Sequence, residues 1–189
     1  MEEVSEELSA DQVMTLEAFA DTIIPGERRG PDDRAVAGAA IGGGAVASGA
    51  VELMTSPEGG LAGALDSLAE GLNENARSYA ARVGLAPDPD SPPFVALEFA
   101  DRTALATELL APGHPEQELW VALAMFSAMA WDTGAHTHTK DAMASGHPGL
   151  TLMGFMQPDA DGLWRFPAFS YGRVLAALHP HTTETGDPR

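Results

Sequence analysis

The sequence contains no cysteine and a single lysine, Lys140, among its 189 residues. Without cysteine there is no disulfide, no iron–sulfur cluster, no thiolate zinc site and no cysteine nucleophile. Cations are scarce altogether: ten Lys and Arg stand against 28 Asp and Glu, a formal charge of −18. A chain this acidic is repelled by nucleic acid and by anionic membrane faces, so neither is expected as a partner. The acidity reads first as solubility, and second as a surface for a basic partner. Long hydrophobic runs are also missing. The best candidate, Leu119 to Ala130, is 12 residues long, well short of the roughly 20 needed to span a bilayer. Met1 to Glu7 shows no basic region followed by an apolar stretch, and Arg28-Arg29 follows a helix signal rather than preceding a leader. A cytoplasmic location is the expectation.

What is present fits one globular domain. Apolar residues are 44% and charged residues 20%, a balanced composition, and a chain of this length can bury about 70% of its unfolded surface. Ser9-Ala10-Asp11-Gln12 is a capping box, and Val13, Leu16, Phe19, Ala20, Ile23 and Ile24 follow at helical spacing until Pro25-Gly26. Gly42-Gly43-Gly44 interrupts an Ala/Gly-rich stretch; it follows no strand signal and reads as a tight chain crossing, with a helix from about Ala45 to Thr55. Gly60 to Gly84 carries the clearest helical pattern, with Gly84 suited to a left-handed C-terminal cap. A proline-rich link, Ala86 to Pro93, precedes a helix that Asp101 is expected to cap. The next helix is expected to begin at Pro115 and run to about Trp131, apolar on nearly every face. A short helix is expected near Lys140 to Ser145, and Leu150 to Gly154 reads as a strand or buried extended chain. No strand–helix alternation is present, so a parallel sheet is not expected. The fold class is therefore all-α: a single irregular helical bundle over residues 1–178, with a loop-rich aromatic C-terminal segment, and a polar tail at 179–189.

Chemistry concentrates in Trp131-Asp132-Thr133-Gly134-Ala135-His136-Thr137-His138. His136 or His138 can act as a proton acceptor, with Asp132 as orienter, and these three are the catalytic candidates. In an extended segment the two histidines share a face and can bind one metal, with His147 the nearest further ligand. The H-x-H spacing alone belongs more often to a capped, hydrogen-bonded loop. No serine elbow, phosphate loop or dinucleotide motif accompanies it. Trp164, Phe166, Phe169 and Tyr171 form the aromatic cluster of the chain. With Trp120 they are candidates for partner binding, because Trp and Tyr anchor interfaces, although aromatics also close cores.

The segment Leu16-Glu17-Ala18-Phe19-Ala20-Asp21-Thr22-Ile23-Ile24-Pro25-Gly26 resembles the N-terminal signature of the gluconate 2-dehydrogenase subunit 3 family. There an amphipathic helix ends in Ala-Asp-Thr-Ile-Ile-Pro and a Gly/Ala-rich segment follows, here Ala35 to Gly44. Phe94-Val95-Ala96-Leu97, Asp101-Arg102 and Leu109-Leu110 are similar to the start of that family's central helix. The whole chain also resembles small actinobacterial proteins encoded beside flavin-dependent oxidoreductases of the glucose–methanol–choline class. The likeness is specific over 11 residues and loose elsewhere. It implies a helical, non-catalytic accessory subunit that binds and stabilises an FAD-containing large subunit and shapes its substrate entrance. It implies no cofactor on this chain. Better-known members carry a twin-arginine export signal; none is read here, so a soluble cytoplasmic oxidoreductase of secondary metabolism suits the chain better. The rival readings are an enzyme or catalytic partner using His136 and His138, and a small-molecule binding protein.

Overall fold

Ser9 starts the first helix, α1 (Ala10–Ile23), through a reciprocal capping box. Its Oγ accepts from Gln12 N at 3.3 Å, and Gln12 Oε1 accepts from Ser9 N at 2.9 Å. In this computed structural model, the structure describes residues 8–31, 33–34, 39–157, 159 and 181. Among the described residues six further α-helices follow and no strand occurs. They are α2 (Ala50–Thr55), α3 (Leu65–Val83), α4 (Phe99–Leu109), α5 (Gln117–Thr133), α6 (Thr139–Ala144) and α7 (Pro148–Leu152). The fold is all-α. By compactness the chain divides into Met1–Phe155 and Met156–Arg189. The expected boundary at 178/179 falls outside the described residues, as do Trp164, Phe166, Phe169 and Tyr171.

α1 is the central helix of the first unit and packs on α2, α3, α4 and α5. That explains why its buried residues run without a break from Ala18 to Thr22 instead of forming one stripe. Phe19 is completely buried and meets Phe94 at a ring distance of 6.1 Å. Asn73 of α3 ties this core together: Nδ2 donates to Thr15 Oγ1 of α1, and Oδ1 accepts from Phe94 N. The proline-rich link thus delivers Phe94, Val95 and Leu97 into the core.

The glycine triplet makes the chain crossing its composition suggested. Gly42 O accepts from Glu27 N at 2.7 Å, and Ala45 N donates to Ile24 O at 3.0 Å. A Cβ on Gly26 would sit 2.2 Å from Gly44 N, so no larger residue fits. Asp21, in the last turn of α1, sits beneath the crossing and is 3% exposed. Its Oδ1 accepts from Val46 N at 3.0 Å, at the head of a 3₁₀ turn, Val46–Ser48. Burial pushes the Asp21 carboxyl up to about 6, against the pull of the Val46 N–H and of Arg29. Arg29 itself bridges Glu17 and Asp33.

Several local expectations are corrected. Glu98, not Asp101, holds the N-cap position of α4, with no side-chain cap hydrogen bond; Asp101 lies inside the first turn and accepts from Tyr79 OH at 3.0 Å. α5 begins at Gln117, two residues after Pro115, because the chain turns once more before the helix starts. Leu150 to Gly154 is not extended: His147 caps α7 and Pro148 occupies its first turn, where a missing N–H costs nothing. α7 then packs on α5 so closely that a Cβ on Gly149 would lie 1.8 Å from Trp131 O. α3 ends as expected, with Gly84 left-handed at φ 77°.

Candidate functional site

α5 stops at Gly134, left-handed at φ 58°, and the chain doubles back through a turn closed by Thr137 N to Gly134 O. This reversal lays the His136 ring on Gly49, between the 3₁₀ turn and α2. A Cβ on Gly49 would meet His136 Cε1 and Nε2 at 2.2 Å, and Gly49 is itself left-handed at φ 87°. Two independent constraints, conformation and space, therefore require glycine there.

His147 approaches from the other side, its ring 6.5 Å from that of His136. Both of its nitrogens are engaged. Nδ1 accepts from Leu150 N at 3.3 Å and so caps α7, which leaves the proton on Nε2 to reach Ser48 O at 3.1 Å. His147 thereby clamps the 3₁₀ turn to α7. His138 caps α6 in the same manner, Nδ1 accepting from Lys140 N at 3.2 Å.

Between these groups lies a concavity of about 530 Å³, lined by Ser48, Glu52, His136, Thr137, Ser145 and His147 among others. Burial lowers the pKa of His136; Glu52 opposes that and His147 adds to it more weakly. His136 Nδ1 is buried with no hydrogen-bond partner among the described residues, and so is Ser48 Oγ. A neutral imidazole with a buried, uncommitted nitrogen can accept or donate one hydrogen bond to a molecule in the concavity.

Of the sequence candidates for acid–base work, only His136 lines this space. Asp132 is exposed on the last turn of α5, and His138 is exposed as a cap. Among the described residues no three His, Asp or Glu stand close enough to share a metal ion. Trp120 is not on a surface: it is 2% exposed, with its ring edge against Gly71. The exposed apolar face of α5 is made instead by Val121 and Met125, at 42% and 52% exposure. Ser48, Gly49 and Glu52 were missed as site residues. Their one sequence signal is the Gly/Ala/Ser-rich stretch around them, which reads as a crossing and a helix rather than as the wall of a site.

Residues 10–189 match the family of unknown function DUF5987. The chain belongs to that family. No curated protein and no solved structure matches it. No helix among the described residues of this DUF5987 member is long and apolar enough to cross a membrane.

Proposed function

We propose that this DUF5987 protein is a non-catalytic small subunit that binds and stabilises an FAD-dependent oxidoreductase of the glucose–methanol–choline type, in the cytoplasm. The observation that carries the reading is the outer face of α5. Val121 and Met125 are one helical turn apart and roughly half exposed, Ala122, Ala128 and Met129 flank them, and Glu118 and Asp132 close the two ends. The opposite face of the same helix buries Trp120, Leu123, Ser127 and Ala130 in the core. One exposed apolar residue is ordinary, but a continuous row with polar ends has the form of an interface. The likeness of Leu16–Gly26 to the small-subunit signature supplies the kind of partner. In this reading the FAD belongs to the large subunit, and this chain anchors to it through α5.

Co-expression with a glucose–methanol–choline-type flavoprotein from the same genome tests the reading. The two should co-purify, and Val121→Asp with Met125→Asp should abolish co-purification while leaving the far-ultraviolet circular dichroism unchanged. A flavoprotein that is equally soluble and active with and without this chain would overturn it.

A second reading assigns acid–base work to His136, favoured by its lowered pKa and its uncommitted Nδ1. Replacing His136 and His138 with glutamine separates the two.

A further inference from the structure

We propose that the concavity beside His136 is a binding site for a small organic ammonium ion. The site stands apart from the α5 face and does not depend on any subunit partner. Three features of its lining converge on that class. First, Ser48 lines the concavity, is only 2% exposed, and its hydroxyl has no protein partner among the described residues. Native proteins rarely leave a buried hydroxyl unsatisfied, and one that lines a concavity is matched to what enters it. Second, His136 presents a buried Nδ1 in the same condition. Its ring is held against Gly49, which fixes the direction in which that nitrogen can bond. Third, the charged side chain in the lining is Glu52, while neither Lys nor Arg contributes.

Charge selects among possible occupants. The chain carries −18, so the potential at the mouth repels anions and concentrates cations. A carboxylate or phosphate would meet Glu52 with no compensating cation. A neutral alcohol would satisfy Ser48 and His136 but leave Glu52 unused. An ammonium group uses all three: its N–H bonds go to acceptors, and its charge faces Glu52. The volume of about 530 Å³ lies within the range of small-molecule sites, roughly 300–1,000 Å³.

Three probes of one shape decide the matter: cyclohexylammonium, cyclohexanol and cyclohexanecarboxylate, each titrated into the isotope-labelled full chain and followed by NMR. Cyclohexylammonium should move the His136 ring signals and the backbone amides of Ser48 to Glu52, saturating in the millimolar range. Cyclohexanol should bind more weakly, and the carboxylate should produce no site-specific shifts. Glu52 is exposed, so Glu52→Gln keeps the fold and should weaken cyclohexylammonium by about two- to fivefold, the range for one exposed charge contact. Ser48→Ala should weaken it further. The proposal is overturned if the carboxylate moves the same signals with equal affinity, if none of the probes does, or if Glu52→Gln leaves the ammonium affinity unchanged.

Discussion

Gly49→Ala, made alone and again in a His136→Ala background, probes the packing on which the site depends. The substitution carries two costs that the structure separates. The backbone at Gly49 has φ 87°, and holding an L-residue in left-handed conformation costs roughly 1–2 kcal/mol. The new Cβ would also lie 2.2 Å from His136 Cε1 and Nε2. Either the ring is expelled from the concavity or the 3₁₀ turn shifts, an overpacking cost of roughly 1–3 kcal/mol. The single substitution should therefore destabilise by about 2–5 kcal/mol. Without the imidazole only the conformational cost remains, so in the His136→Ala background the same change should cost about 1–2 kcal/mol. The difference, about 1–3 kcal/mol, is the coupling between the two positions. Urea unfolding of the four proteins, followed by far-ultraviolet circular dichroism with equal slopes, measures it directly. If Gly49→Ala costs the same in both backgrounds to within about 0.5 kcal/mol, His136 does not rest on Gly49 and the site geometry is refuted.

The remaining predictions concern the core, a buried carboxyl and the histidines. Phe19 is completely buried, so Phe19→Ala should cost about 3–5 kcal/mol; an unchanged thermal melt would refute its place in the core. Asp21 titrates near 6 when folded against an ordinary 3.8, so the folded state binds the proton more tightly than the unfolded one. Its contribution is therefore most favourable below pH 4 and declines as the pH rises from about 4 to 6. That gap corresponds to roughly 3 kcal/mol, undiluted by solvent because Asp21 is 3% exposed. Unfolding free energies should show wild type losing that amount relative to Asp21→Asn between pH 4 and 7, and parallel curves would exclude it. In the reconstituted complex, His136→Gln with His138→Gln should lower turnover by less than about tenfold, as a peripheral contact would. A loss approaching a thousandfold with unchanged assembly would mean this chain takes part in proton transfer, and the subunit reading would fail.

Features written within a few residues of each other were legible without coordinates. Ser9 and Gln12 name the start of α1 because a capping box is closed by groups three residues apart. Gly84 names the end of α3 because left-handed backbone favours glycine locally. Gly42-Gly43-Gly44 signals a crossing because each position needs glycine: φ 90° at Gly42, the Pro148 ring against Gly43, and the Ile24–Gly26 backbone against Gly44. Where local preferences nearly balance, the environment decided. Leu150 to Gly154 has the composition of a short strand, yet His147 and Pro148 start a turn of helix that only packing on α5 makes stable. Asp101 has the chemistry of a cap, but Tyr79 from another helix takes its carboxylate. The histidine segment drew notice as a sequence, whereas its partners did not. Ser48 and His147 are 99 positions apart, and no periodicity or spacing links residues at that distance. The glycine at 49 is demanded by a ring from the turn beyond α5, and the Ser48 hydroxyl gains its buried place only once the fold has formed. Local hydrogen-bonding rules thus specified the helices, while the site came from long-range contacts that exist only after those helices have packed.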